Sequence, residues 1–145
     1  VTIPKESIRL VLERSGGVCE RCLVRPASQI HHRCARQAGG SKHTSWINLA
    51  SNLAHLCGSS ADGCHGWATS FPALARDHGW VVLRAIAERL GGSGPIPVED
   101  LFGRSWWLHP DGRRIRFTHL STPAGLGGPE SDALIRSWRE QGLNP

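Results

Sequence analysis

Two cysteine pairs, Cys19-x2-Cys22 and Cys57-x6-Cys64, carry the plainest chemistry in the chain. Zinc favours four soft ligands in a tetrahedron, so two such knuckles brought together make a four-thiolate site. The first spacing is standard. The second is longer, but its loop, Gly58-Ser59-Ser60-Ala61-Asp62-Gly63, has the flexibility to return Cys64 to the metal. Buried free cysteines are the plain alternative. A fifth cysteine, Cys34, makes the count odd, which argues against a closed disulfide framework, and it reads as an ordinary small side chain. Ile30-His31-His32-Arg33 lies between the knuckles, and His65 directly follows Cys64. Four cysteines already fill one tetrahedron. His31, His32 and His65 are therefore free to hold a second metal or to move a proton, unless they are simply satisfied structural residues.

Other elements must position these groups. Pro4, the stripe through Ile8, Leu10, Val11 and Leu12, and the stop at Gly16-Gly17 predict a helix over 4–15. Ala27 to Arg33 reads as a short strand carrying the two histidines. Residues 35–50, with Gly39-Gly40-Ser41, form a loop too long to be idle in a compact domain. Residues 64–78 predict one or two helical segments, with Pro72 near the start of the second and Gly79 closing it. Trp80-Val81-Val82-Leu83 is a strand candidate, Ala85 to Leu90 a short helix, and Gly91 to Pro97 a linker. Trp106-Trp107-Leu108 and Arg114-Ile115-Arg116-Phe117 flank Pro110-Asp111-Gly112, a hairpin signal. A last helix is expected over Glu130–Gln141.

Composition narrows the class. The 145 residues fit one domain, yet 39% are hydrophobic, Met and Tyr are absent, and there are 17 Gly and 9 Pro. Such a thin core needs another source of stability, which zinc would supply. The net charge is +5, and every cation except Lys5 and Lys42 is Arg, whose fork matches phosphate geometry. No apolar run is long enough to span a membrane. Charges at Lys5, Glu6, Arg9, Glu13 and Arg14 interrupt any signal-peptide region, so a reducing, cytoplasmic setting is expected.

The series Cys19-x2-Cys22, Ile30-His31-His32, Gly39-Gly40-Ser41, Ser51-Asn52-Leu53-x2-Leu56-Cys57 and Cys64-His65 resembles the HNH endonuclease family, with His32, Asn52 and His65 in the order of its name. The match covers residues 15–70. More loosely, the flanks resemble small HNH proteins encoded by bacteriophages. The resemblance implies a small, loop-rich α+β fold: a ββα-metal finger braced by a structural Zn²⁺ on Cys19, Cys22, Cys57 and Cys64, with flanking helices and a C-terminal β-hairpin. Residues 1–83 would form the nuclease domain, and 84–145 an extension of linker, Trp-rich hairpin and terminal helix. It further implies that His32 is the general base, that His31 and His65 hold a catalytic divalent ion, and that Asn52 keeps the finger loop in shape or touches the metal. The expected partners are double-stranded DNA and a terminase-like packaging protein.

Residue chemistry agrees with that role. One ion on few protein ligands can bind a scissile phosphate and the leaving 3′ oxygen, while a neutral His takes a proton from water. Arg33 and Arg36 stand beside the histidines and could clamp flanking phosphates, or be solvated charges. Relatives commonly carry Asp where His31 stands. Two imidazole ligands suit Zn²⁺ or Ni²⁺ better than Mg²⁺, so Mn²⁺ or Ni²⁺ is expected to serve at least as well as Mg²⁺. Exposed Trp beside Arg113, Arg114 and Arg116 could grip nucleic acid, although one packed indole and a solvated charged face is the simpler reading. The competing function is a non-catalytic zinc module that binds DNA or a protein. It would have no reason to keep His31, His32 and His65 together.

Overall fold

The computed structural model describes residues 2–36 and 44–117. The Gly39-Gly40-Ser41 loop, His43, His119 and the helix expected over Glu130–Gln141 lie outside the described residues.

The first helix, α1 (Lys5–Ser15), ends where Gly16 takes the left-handed conformation and donates to the Leu12 carbonyl. The strand β1 (Gln29–His32) pairs antiparallel with β2 (Leu53–Leu56), which a short 3₁₀ turn at Ala50–Asn52 introduces. Two helices follow, α2 (Gly63–Ser70) and α3 (Pro72–Asp77), then α4 (Arg84–Leu90). A second antiparallel sheet holds β3 (Val98–Glu99), β4 (Ser105–Leu108) and β5 (Arg114–Phe117) in that order. The protein is thus a small α+β fold with two small antiparallel sheets. No helix among the described residues is long and apolar enough to cross a membrane.

All four residues of β2 are buried because the strand is covered on both faces. Leu53 packs with Val11 of α1, whereas Ala54 and Leu56 pack with the cysteines and Ala68 of α2. Cross-strand partners share a face. His31, opposite Ala54, therefore lies on the face toward α2, and His32, opposite Leu53, on the face toward α1. A buried ion pair fastens α1 to this layer. Arg14 Nε bonds Glu20 Oε1 at 2.6 Å, Arg14 also donates to the Ala50 and Leu53 carbonyls, and Glu20 accepts from the His55 backbone N–H.

Two segments differ from expectation. Trp80 to Leu83 bends at Trp80 and Val81 and joins no sheet. Its backbone instead serves β1 and the residue after it: the Trp80 carbonyl accepts from His31, and the Val82 N–H donates to the Arg33 carbonyl. The segment 91–97 is no free linker. Ser93 and Ile96 are buried, Ile96 with Cys34, Trp46 and Ile47, so packing runs across the boundary expected at residue 83. Gly79 shows how tight this seam is: a Cβ there would sit 1.9 Å from the Pro97 carbonyl oxygen.

Candidate functional site

The four paired cysteines come together. Their sulfurs all lie within 4.8 Å of one another, all four residues are buried, and Cys22 and Cys57 are 3.9 Å apart at sulfur. Four sulfurs at about 2.3 Å from a central zinc would be roughly 3.8 Å apart. The first knuckle closes because Leu23 takes a positive φ of 61° and donates its N–H to the Cys19 carbonyl. The second closes through Asp62, whose Oδ1 accepts from both N–H and hydroxyl of Ser59 at 2.7 Å. Gly58 is obligatory in that turn, since a Cβ would meet the Asp62 carbonyl oxygen at 2.1 Å. The Cys64 N–H then points at Cys57 Sγ, 3.4 Å away. Arg21 donates to Cys64 Sγ at 3.3 Å while stacking 3.5 Å over Trp67, which sets a cation beside the sulfurs.

The sulfurs titrate unequally. The hydrogen bond with Cys64 holds the Cys19 thiol down at about 4, and the same contact followed by burial pushes Cys64 up. Burial raises Cys57. Crowded thiols cannot all ionise without a cation between them, and a dication would let them do so together. The cluster can therefore hold a metal ion such as zinc.

The histidines form a different arrangement. His31 and His65 meet edge to face with ring centroids 5.4 Å apart. His31 Nε2–H donates to the Trp80 carbonyl at 2.7 Å, which fixes the tautomer and leaves the lone pair on Nδ1. Burial depresses the His31 pKa to about 4, so the ring is neutral at pH 7. A backbone carbonyl on the far ring nitrogen is the usual support of a metal-ligating histidine. His65 Nδ1 is buried and has no hydrogen-bond partner among the described residues. A buried nitrogen without a partner costs free energy.

His32 sits on the other face of β1. Its Nε2–H donates to Asn48 Oδ1 at 2.9 Å, so Nδ1 carries the free lone pair. Burial lowers its pKa below the ordinary histidine value, against the opposing pull of Asn48, and the charge of Arg36 adds a little. Asn48 belongs to no motif. The sign that could have found it is the Trp46-Ile47 pair just before it, an apolar step that returns the long loop to the core.

Asn52 is fully buried, and its amide is spent on the loop. Oδ1 accepts from the Cys34 N–H and the Ser93 hydroxyl, and Nδ2 donates to the Cys34 and Ile47 carbonyls. It ties both ends of the loop after β1 and has no donor or acceptor left for a metal.

Arg33 is a correction. Its side chain is 1% exposed, and its guanidinium donates to four carbonyls, those of Gly79, Ser51, Ser93 and Ile96, at 2.5–3.0 Å. Buried in this way, it is out of reach of a phosphate. The position after two half-buried strand residues faces inward, and the carbonyls that receive it come from distant segments. Arg36 is exposed beside the site. His55 is a buried β2 residue whose Nδ1 lies 2.7 Å from Ser15 Oγ, at the end of α1. No protein-family model, curated protein or solved structure matches the chain, so these sites stand on their geometry.

Proposed function

We propose that this chain is a metal-dependent DNA endonuclease of the HNH type, in which β1, β2 and α2 form the ββα-metal finger. The observation that carries the reading is the buried, unpartnered Nδ1 of His65 beside a neutral His31 whose other nitrogen a backbone carbonyl already holds. A divalent ion on these two rings would neutralise charge at the scissile phosphate and stabilise the leaving 3′ oxygen. His32 Nδ1 takes a proton from the water that attacks phosphorus. The new P–O bond forms as the bond to the 3′ oxygen breaks, and the proton stays on the ring. Asn48 keeps Nε2 protonated, so the accepting nitrogen is always Nδ1. Asn52 holds the loop between the strands, and the four-cysteine zinc braces the knuckles around them.

Plasmid nicking tests this. Wild type is compared with His32→Ala in Mg²⁺, Mn²⁺ and Ni²⁺, with zinc content and melting followed in parallel. Nicking should fall by about a hundredfold or more in the variant while the fold and zinc persist, and Mn²⁺ or Ni²⁺ should support it at least as well as Mg²⁺. Wild type that shifts DNA but cuts in no metal would leave the zinc-braced binding module as the function.

A further inference from the structure

The second sheet carries a group of side chains that cleavage chemistry does not use. Trp106 of β4 is paired in register with Arg116 of β5, and Arg114 lies two residues away on the same strand face. Three guanidinium groups surround the Trp106 ring: Arg114 at 4.4 Å from its centroid, Arg116 at 5.1 Å and Arg104 at 6.0 Å. The indole is part-buried against the cysteine-containing core, and its Nε1–H donates to Asp100 Oδ2 at 3.0 Å, so the platform is fixed. Phe102, 64% exposed, extends it beneath Arg104.

The neighbouring carboxylates are engaged elsewhere. Asp100 takes Arg104 and the indole, Glu99 takes His78, and Asp111 takes Arg113 at the hairpin turn. Among the described residues, no carboxylate forms an ion pair with Arg114 or Arg116. Cations gathered on one ring repel one another, and an anion set between them relieves that repulsion. A guanidinium stacked on a ring also keeps its N–H fork in plane at the edge, which is the geometry that takes a phosphate through two bonds.

We propose that this face of β4 and β5 grips the phosphodiester backbone of nucleic acid, with Arg114 and Arg116 each taking a phosphate and Arg104 flanking them. Alternate residues on a strand are about 6.8 Å apart, a repeat that successive phosphates along one chain can follow. The contact reads backbone alone and so is independent of sequence. The choice of DNA as the ligand rests on the nuclease reading.

The test is fluorescence anisotropy with a short labelled DNA duplex across a salt series. The Arg114→Gln/Arg116→Gln double variant should bind about tenfold more weakly than wild type, with a salt slope shallower by about 1.8, roughly 0.9 for each phosphate left without its arginine. Arg113→Gln, whose parent side chain is bonded to Asp111, should bind as wild type does. Should the double variant not fold, Arg116→Gln alone, at an exposed position, should lower the slope by about 0.9. Wild-type affinity and slope in the charge variants overturn the proposal. Failure of the nuclease reading looks different: a wild type that binds duplex with the full slope yet never nicks a plasmid.

Discussion

The four-cysteine cluster and the histidine pair share one face of β2, and they differ in how complete they are. The cysteines offer four soft ligands, all buried, with Arg21 beside them. Such a site is closed, and a metal in it has no position left for a substrate. His31 and His65 offer two ring nitrogens and are only half-buried. A metal on two such rings would keep open positions, which is what the proposed nuclease reading asks of it. The two sites also draw on the backbone differently. N–H groups from the knuckles turn inward at sulfur, whereas the histidine rings point their own N–H groups outward to Trp80 and Asn48.

The comparison can be broken most severely at the closed site. Cys19→Ser should abolish stoichiometric zinc and the cooperative melt together, because metal binding there is folding energy. A melt unchanged from wild type, followed by circular dichroism, would show that the cluster braces nothing. Asn52→Ala comes next. It leaves the Cys34 N–H and carbonyl, the Ile47 carbonyl and the Ser93 hydroxyl short of partners. We expect a loss of about 3 kcal/mol in denaturant unfolding and reduced nicking, with zinc still bound. Full cleavage by this variant would separate the loop from the histidine site. The smallest and sharpest effect belongs to Asn48→Ala, which frees the His32 ring to choose its tautomer. Nicking should fall about tenfold with melting and zinc unchanged, and a wild-type rate would mean that His32 needs no support.

Much of the closed site is legible from residue types. Cysteine spacing names its ligands, Gly58 and Gly63 announce the tight return, and Pro110-Asp111-Gly112 predicts the hairpin that β4 and β5 form. Both helical segments after Cys64 and the short helix ending at Leu90 also follow from periodicity and their Pro and Gly boundaries. What escapes is carried by main-chain carbonyls, which every residue possesses and no side chain advertises. The Trp80 carbonyl that orients His31 lies in a run whose β-branched residues suggest a strand. The four carbonyls around Arg33 come from three separate stretches, so a basic residue beside two histidines reads as a phosphate ligand. Asn48 is hidden for a related reason. Its partner, His32, is distant in sequence, and only the fold brings them together.

The buried Arg33 has a consequence for the order in which the chain is finished. During synthesis Cys64 emerges before Gly79, Ser93 and Ile96, so the four sulfurs can gather while three of the four Arg33 acceptors are still to come. Until they arrive, a cation directly after His31 and His32 lacks three of the four carbonyls that bury it. A nascent chain whose four sulfurs took up a metal would therefore be stapled there before Arg33 is bolted in place, and the residues that complete the bolt lie beyond Cys64.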